Sequence, residues 1–193
     1  MIADQTARLF LDKLAPGSRI LDVGAGPDGD GFGQLARDEG HQYVPLDVHT
    51  GENWETHLRR SHYKAYDGLW MSHSLEHMLN TQTALKNIRQ VMKGEGWIGI
   101  TVPPRKDEIV GGHVSLWNAG LLLYRLILAG FDCSEASVKT YGYNCSVILR
   151  RRWIPTPPLN YDRGDIEKLE PYWPNGLDCR HGFNGMIREH NWR

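Results

Sequence analysis

The chain has 193 residues, of which 40% are hydrophobic and 23% charged, and a formal net charge of -1. That length holds one domain with room for a sheet and two helical layers, and the charge excludes a general attraction to nucleic acid or to an anionic membrane. Cys133, Cys145 and Cys179 are odd in number and lack CxxC zinc or redox spacing, so free thiols in a reducing cytoplasm are expected.

Met1 to Gln5 has no basic region and apolar core, and so is not read as a secretory signal. Residues 4–14 form the first predicted helix, with Ala7, Phe10, Leu11 and Leu14 on one side and Pro16-Gly17 behind it. A strand follows over Arg19 to Val23. The next helix carries Phe32, Leu35 and Ala36 and is capped by Gly40. A second strand covers Gln42 to Leu46. Residues 48–66 are polar and His-rich, and no third strand declares itself there. Asp67 to Met71 reads as a buried strand. A helix over Thr81 to Lys93 presents Ala84, Leu85, Ile88, Val91 and Met92, with Gly94 as its stop.

Trp97 to Val102 is another buried strand, closed by Pro103-Pro104. Ser115 is a candidate N-cap for a helix running to Ala129, with Gly130 behind it. Its greasy stretch, Leu121 to Phe131, is broken by Arg125 and too short to span a bilayer. Phe131 to Lys139 and Cys145 to Arg151 alternate as paired strands with a turn near Gly142. Alternating strands and helices predict an α/β fold: a mostly parallel central sheet, an antiparallel edge hairpin and helices on both faces. Residues 1–152 are read as the main domain. The Pro/Trp-rich segment 153–193 is read as an ordered extension packed on the same domain, wrapping it or covering the site, and as a surface through which the chain could self-associate.

The chemistry concentrates in Ile20-Leu21-Asp22-Val23-Gly24-Ala25-Gly26-Pro27-Asp28-Gly29. An apolar run ends beside an acid and a Gly-rich turn, and Asp47 ends the next apolar run. Glycines let the backbone turn sharply and a ligand come close, and a carboxylate after the second strand can accept from both hydroxyls of a ribose. Gly24, Gly26 and Gly29 fit the G-x-G-x-x-G dinucleotide spacing. Two details point away from NAD. Asp22 can face a cationic amine, and Asp28 would repel a pyrophosphate at the helix start.

This segment resembles motif I of class I S-adenosylmethionine-dependent methyltransferases. Three more segments share the likeness: Tyr66-Asp67-Gly68-Leu69-Trp70-Met71-Ser72-His73-Ser74-Leu75-Glu76-His77, Gly94 to Pro103, and Gly112-His113 followed by Ala129-Gly130-Phe131. They are similar to the small-molecule methyltransferase subgroup (types 11 and 23). The resemblance covers residues 18–152 and implies a Rossmann-like methyltransferase fold with S-adenosyl-L-methionine as cofactor. It implies that Asp22 and Gly24 meet the methionine end and that Gly26 lets the backbone approach. It also implies that Asp47 binds the ribose and that Met71, Ser72 and His73 line the other side. The family places a third strand and an adenine contact between Asp47 and Asp67. Only 19 residues intervene here, and no adenine contact is assigned.

Methyl transfer from a sulfonium needs a protein base only when the acceptor is protonated. His73 is the candidate base or acceptor contact, set against a role in shaping the turn. His113 is read as an acceptor contact or as helix-capping scaffold. His73 and His77, four residues apart, could chelate a metal on one helix face, but no third ligand is evident, so no metal is expected and a structural hydrogen bond is assigned to His77. Arg150-Arg151-Arg152 reads as a solvated strand end rather than a nucleic-acid patch. Neither a D/N-P-P-Y/F segment nor a Pro-Cys nucleophile is present for base methylation. The expected function is methyl transfer to a small-molecule acceptor, with O-methylation of a saccharide or related metabolite as the favoured form. The alternative is a non-catalytic binding or assembly protein that uses residues 153–193.

Overall fold

The computed structural model describes residues 3–26, 31–47, 54 and 62–193. Among them are the strands β1 (Arg19–Val23), β2 (Gln42–Leu46), β3 (Tyr66–Ser72), β4 (Met92–Val102), β5 (Ser137–Tyr141), β6 (Asn144–Arg150) and β7 (Glu189–His190). They form one sheet in the order β2-β1-β3-β4-β6-β5-β7. The first four positions pair in parallel, and β4-β6, β6-β5 and β5-β7 pair antiparallel. Strands β1 to β5 therefore run one way and β6 and β7 the other.

Side-chain alternation along the strands builds two cores, one per face. Ile20, Trp70 and Ile148 pack with Phe10 of helix α1 (Asp4–Asp12) and Phe32 of α2 (Phe32–Asp38). The Phe32 and Trp70 rings stack with centroids 4.5 Å apart. Their sheet neighbours Leu21, Leu69, Ile98 and Val147 point the other way, into the larger core under α3 (Thr81–Val91) and α4 (Ala119–Leu128). The helices on both faces and the Rossmann-like sheet agree with the expectation.

Several boundaries move for identifiable reasons. Helix α3 stops at Val91, because Met92 is already extended (ψ 136°), and Gly94 lies inside β4 rather than ending the helix. Pairing with β3 draws these residues into the ladder, through a register shift between Tyr66 and Gly68. Gly96 there faces the Asp67 carbonyl too closely to admit a side chain. Helix α4 begins after Asn118, whose Oδ1 accepts from the Leu121 N–H at 2.7 Å, whereas Ser115 Oγ accepts from Trp117 Nε1. Asn118 wins because its carboxamide reaches the Leu121 N–H, one of the donors that the first turn leaves free. The hairpin strands β5 and β6 are not the sheet's edge, since β7 from the far end of the chain pairs with β5. Phe131 makes only an isolated bridge to Trp153. Apart from Trp54 and residues 62–66, the stretch expected to hold a third strand lies outside the described residues, as do Pro27, Asp28 and Gly29.

The segment after β6 packs along α4 and then crosses to β5. It holds the short helix α5 (Asp165–Lys168), and its Leu169, Trp173, Cys179 and Ile187 are buried in the larger core. Trp173 stacks on Tyr124 of α4, and the Gly120 N–H donates to the Gly185 carbonyl. All three cysteines are buried free thiols. Among the described residues no helix is long and apolar enough to cross a membrane.

Candidate cofactor and acceptor site

The carboxyl ends of β1, β2, β3 and β4 meet along one rim of the sheet, where ligands bind in open α/β folds. On the β1-β2 side the site is mostly backbone. Gly24 has φ +82°, and a Cβ there would drive into Ser74. Its N–H donates to the Leu46 carbonyl at 2.8 Å, tying the turn to β2. Gly26 has φ +67°, donates to Asp47 Oδ2 at 2.8 Å, and has open space where a side chain would lie. That opening, bordered by a carboxylate after β2, fits a nucleoside with a ribose diol. Asp22 is buried at the end of β1, and its Oδ2 accepts from the Tyr43 hydroxyl at 2.8 Å.

On the β3-β4 side the side chains matter more. The Met71 side chain is buried in the core under α3 and α4, so only its backbone faces the rim. Ser72 pairs with Thr101 of β4. The chain then turns sharply at His73, which has φ +53°, a conformation uncommon outside glycine. The His73 N–H is held by the Thr101 carbonyl at 2.9 Å, and its ring stacks on Tyr143 with centroids 5.7 Å apart. Nε2 lies 3.0 Å from Asn144 Oδ1. On the other side of the ring, Nδ1 lies 3.4 Å from Glu76 Oε1.

One expectation about the histidines changes and another holds. His73 and His77 do not share a helix face, because the left-handed turn at His73 and a short 3-10 turn, Leu75–His77, replace the helix. His77 does make a structural hydrogen bond, from Nδ1 to the Gly112 carbonyl at 2.9 Å. That bond brings the loop after β4 across, and the His77 and His113 rings meet edge to face at 4.9 Å. Glu76, His77 and His113 are thereby gathered so that one ligand atom from each lies within 4.8 Å of the others.

His113 also lines a narrow cleft of about 30 Å³ with Pro103, Lys106, Ser115, Trp117 and Tyr143. The covering loop is pinned by Arg105 N–H to Trp117 carbonyl (2.7 Å) and by Val114 N–H to Glu76 carbonyl (2.8 Å). No residue of segment 153–193 borders this cleft, so its contribution is to α4 and the sheet edge. Burial raises the thiols of Cys133 and Cys145, so neither is a poised nucleophile. Arg150 pairs with Glu95 at 2.7 Å and Arg152 with Glu135 at 2.9 Å, while Arg151 bonds the Gly94 carbonyl and lies over Trp153. Sequence reasoning missed Tyr43, Ser74, Glu76, Tyr143 and Asn144. Ser74 and Glu76 sat in a quoted segment, but nothing local distinguishes a buried polar residue from an exposed one.

No curated protein matches the chain. The profile of a family described as a methyltransferase domain matches residues 1–133. Among solved structures, a SAM-dependent methyltransferase from Archaeoglobus fulgidus is similar with a TM-score of 0.62 and 16% identity, over 78% of this chain and 95% of that one. One from Aquifex aeolicus is similar with a TM-score of 0.56 and 16% identity, over 77% and 90%. Phosphoethanolamine N-methyltransferase 2 of Haemonchus contortus, in complex with phosphomonomethylethanolamine and S-adenosylhomocysteine, has a TM-score of 0.53 and 18% identity, over 66% and 37%. With a profile match over more than half its length, the chain belongs to the methyltransferase-domain family and is an S-adenosylmethionine-dependent methyltransferase.

Proposed function

We propose that the acceptor is a small molecule presenting a hydroxyl, a saccharide or related metabolite, methylated on oxygen beside His73. The observation that carries this is the posture of His73: it follows β3 at positive φ, Asn144 and Tyr143 hold its ring, and the Glu76 carboxylate stands 3.4 Å from Nδ1, where it favours the protonated imidazole. Holding the imidazole in this way suits a group that must accept a proton. An amine acceptor that is already deprotonated needs no such group.

The bound cofactor supplies a methyl group activated by a positive sulfur. Asp22 and Gly24 are assigned to its methionine end, Gly26 to close backbone approach, and Asp47 to the ribose. Ser72, His73 and the Met71 backbone border its other side. The acceptor O–H bond breaks as the oxygen gains the methyl group, whose bond to the sulfonium sulfur breaks with the electron pair left on sulfur, and the proton passes to the His73 imidazole. His113 and the wall formed by Lys106, Trp117 and Tyr143 hold the acceptor for in-line attack. Flat aromatic faces beside hydrogen-bonding groups match what a saccharide presents. The cleft has room for about one water, so an acceptor enters when segment 106–111 moves between the bonds at Arg105 and Gly112. Ile109, 91% exposed, marks that segment as lightly held.

The test is a screen of hydroxyl, amine and thiol acceptors with a labelled methyl donor, repeated with His73→Gln. The expected result is label on oxygen, a fall in kcat of about 100-fold in the variant, and unchanged cofactor affinity. Label on nitrogen, or a variant as fast as the parent, would overturn the assignment.

A further inference from the structure

The Glu76 carboxylate is fully buried, and neither of its oxygens has a hydrogen bond among the described residues. A buried carboxylate without a compensating donor or cation costs several kcal/mol. Its nearest charge partners are imidazole nitrogens that stand off: His73 Nδ1 at 3.4 Å and His77 Nε2 at 3.9 Å. His77 is beyond hydrogen-bond length. The His77 tautomer adds a second observation. Its Nδ1 donates to the Gly112 carbonyl, so the Nε2 lone pair faces Glu76. An imidazole whose far nitrogen is anchored on a backbone carbonyl is the usual posture of a metal ligand. His113, from the same loop, completes a set with all three donor atoms within 4.8 Å.

We propose that Glu76, His77 and His113 bind a divalent first-row transition ion such as zinc. Donors bound at about 2.0–2.1 Å around a tetrahedral ion lie about 3.3 Å apart. The 3.9 Å between Glu76 Oε1 and His77 Nε2 is close to that spacing, and the half-exposed His77 and His113 can close the rest. Two imidazoles and one carboxylate favour a transition ion over magnesium or calcium, which prefer oxygen. Three protein ligands leave a position open, and because His113 lines the cleft, that position lies on the acceptor side of the rim. The site stands on these side chains alone and does not depend on which acceptor is methylated.

The test uses the untagged full-length protein after chelator treatment, titrated with Zn²⁺ and separately with Mg²⁺ in a calorimeter. Co²⁺ absorption serves as a report on nitrogen ligation. One Zn²⁺ per chain is expected, with Mg²⁺ bound far more weakly. His77→Ala and His113→Ala, both at accessible positions, should each weaken Zn²⁺ by at least about tenfold, and together by about 100-fold, with the circular dichroism unchanged. Glu76→Gln, if folded, should behave likewise. Absence of stoichiometric Zn²⁺ binding, binding indifferent to the double variant, or equal affinity for Mg²⁺ would each overturn the proposal.

Discussion

The two sides of the rim are built in different ways. The β1-β2 side uses backbone: two glycines with positive φ and one carboxylate, drawn from residues 24–47 and held by short local bonds. The β3-β4 side uses side chains from three distant stretches: His73 to His77, the loop from Pro103 to Trp117, and Tyr143-Asn144 of the β5-β6 hairpin. The first arrangement suits a ligand that never changes. The second lets the side chains on that half of the rim vary without disturbing the glycine turn.

The largest effect should come from breaking the backbone side. Gly24→Val places a β-branched side chain at φ +82° and drives it into Ser74. A loss of about 2–5 kcal/mol and no detectable cofactor binding are expected from thermal unfolding and calorimetry. A variant that binds normally would show that the turn can rearrange. Next is Asp47→Ala, which removes the proposed ribose acceptor and the partner of the Gly26 N–H. Cofactor affinity should fall by about 100-fold, equivalent to about 2.7 kcal/mol, with the fold intact. Undiminished affinity would refute the ribose assignment.

A smaller effect tests the packed segment after β6 through pH. Burial pushes the Asp165 carboxyl up, but the Asn160 N–H, the Lys168 ammonium and the Tyr161 N–H together hold it below its ordinary value. With the folded value lowered, the unfolded chain binds the proton more readily, so the stabilisation is complete above the ordinary carboxylate range near about pH 4. It is lost as pH falls through the lowered value. The melting temperature of the parent should exceed that of Asp165→Asn at pH 7, and the gap should close toward pH 3. A gap of the same size at both pH values would contradict this. The smallest effect is expected at the exposed Arg150–Glu95 pair. Glu95→Ala should cost no more than about 1 kcal/mol, and less in high salt.

The fold was largely legible because its signals are local. β1 and β2 have the bounds read from their apolar runs, and Gly40 and Gly130 sit at positive φ behind their helices as expected. The errors came where tertiary pairing outcompeted a local signal. The sheet drew Lys93 and Gly94 into β4, and Asn118 took the cap expected of Ser115. Internal polar contacts were equally hidden: Thr6 of α1 reaches Ser146 of β6 at 2.8 Å, across most of the chain.

By itself the sequence determined the β1-β2 side of the rim, since a turn that needs glycine and a carboxylate after a strand are written in neighbouring residues. Only the tertiary structure decided the rest. It buried Glu76, turned His73 out of helical geometry, and folded the loop after β4 back so that His113 met His77. Burial, tautomer and the meeting of residues 36 positions apart are properties of chain crossings, and no spacing along the sequence encodes them.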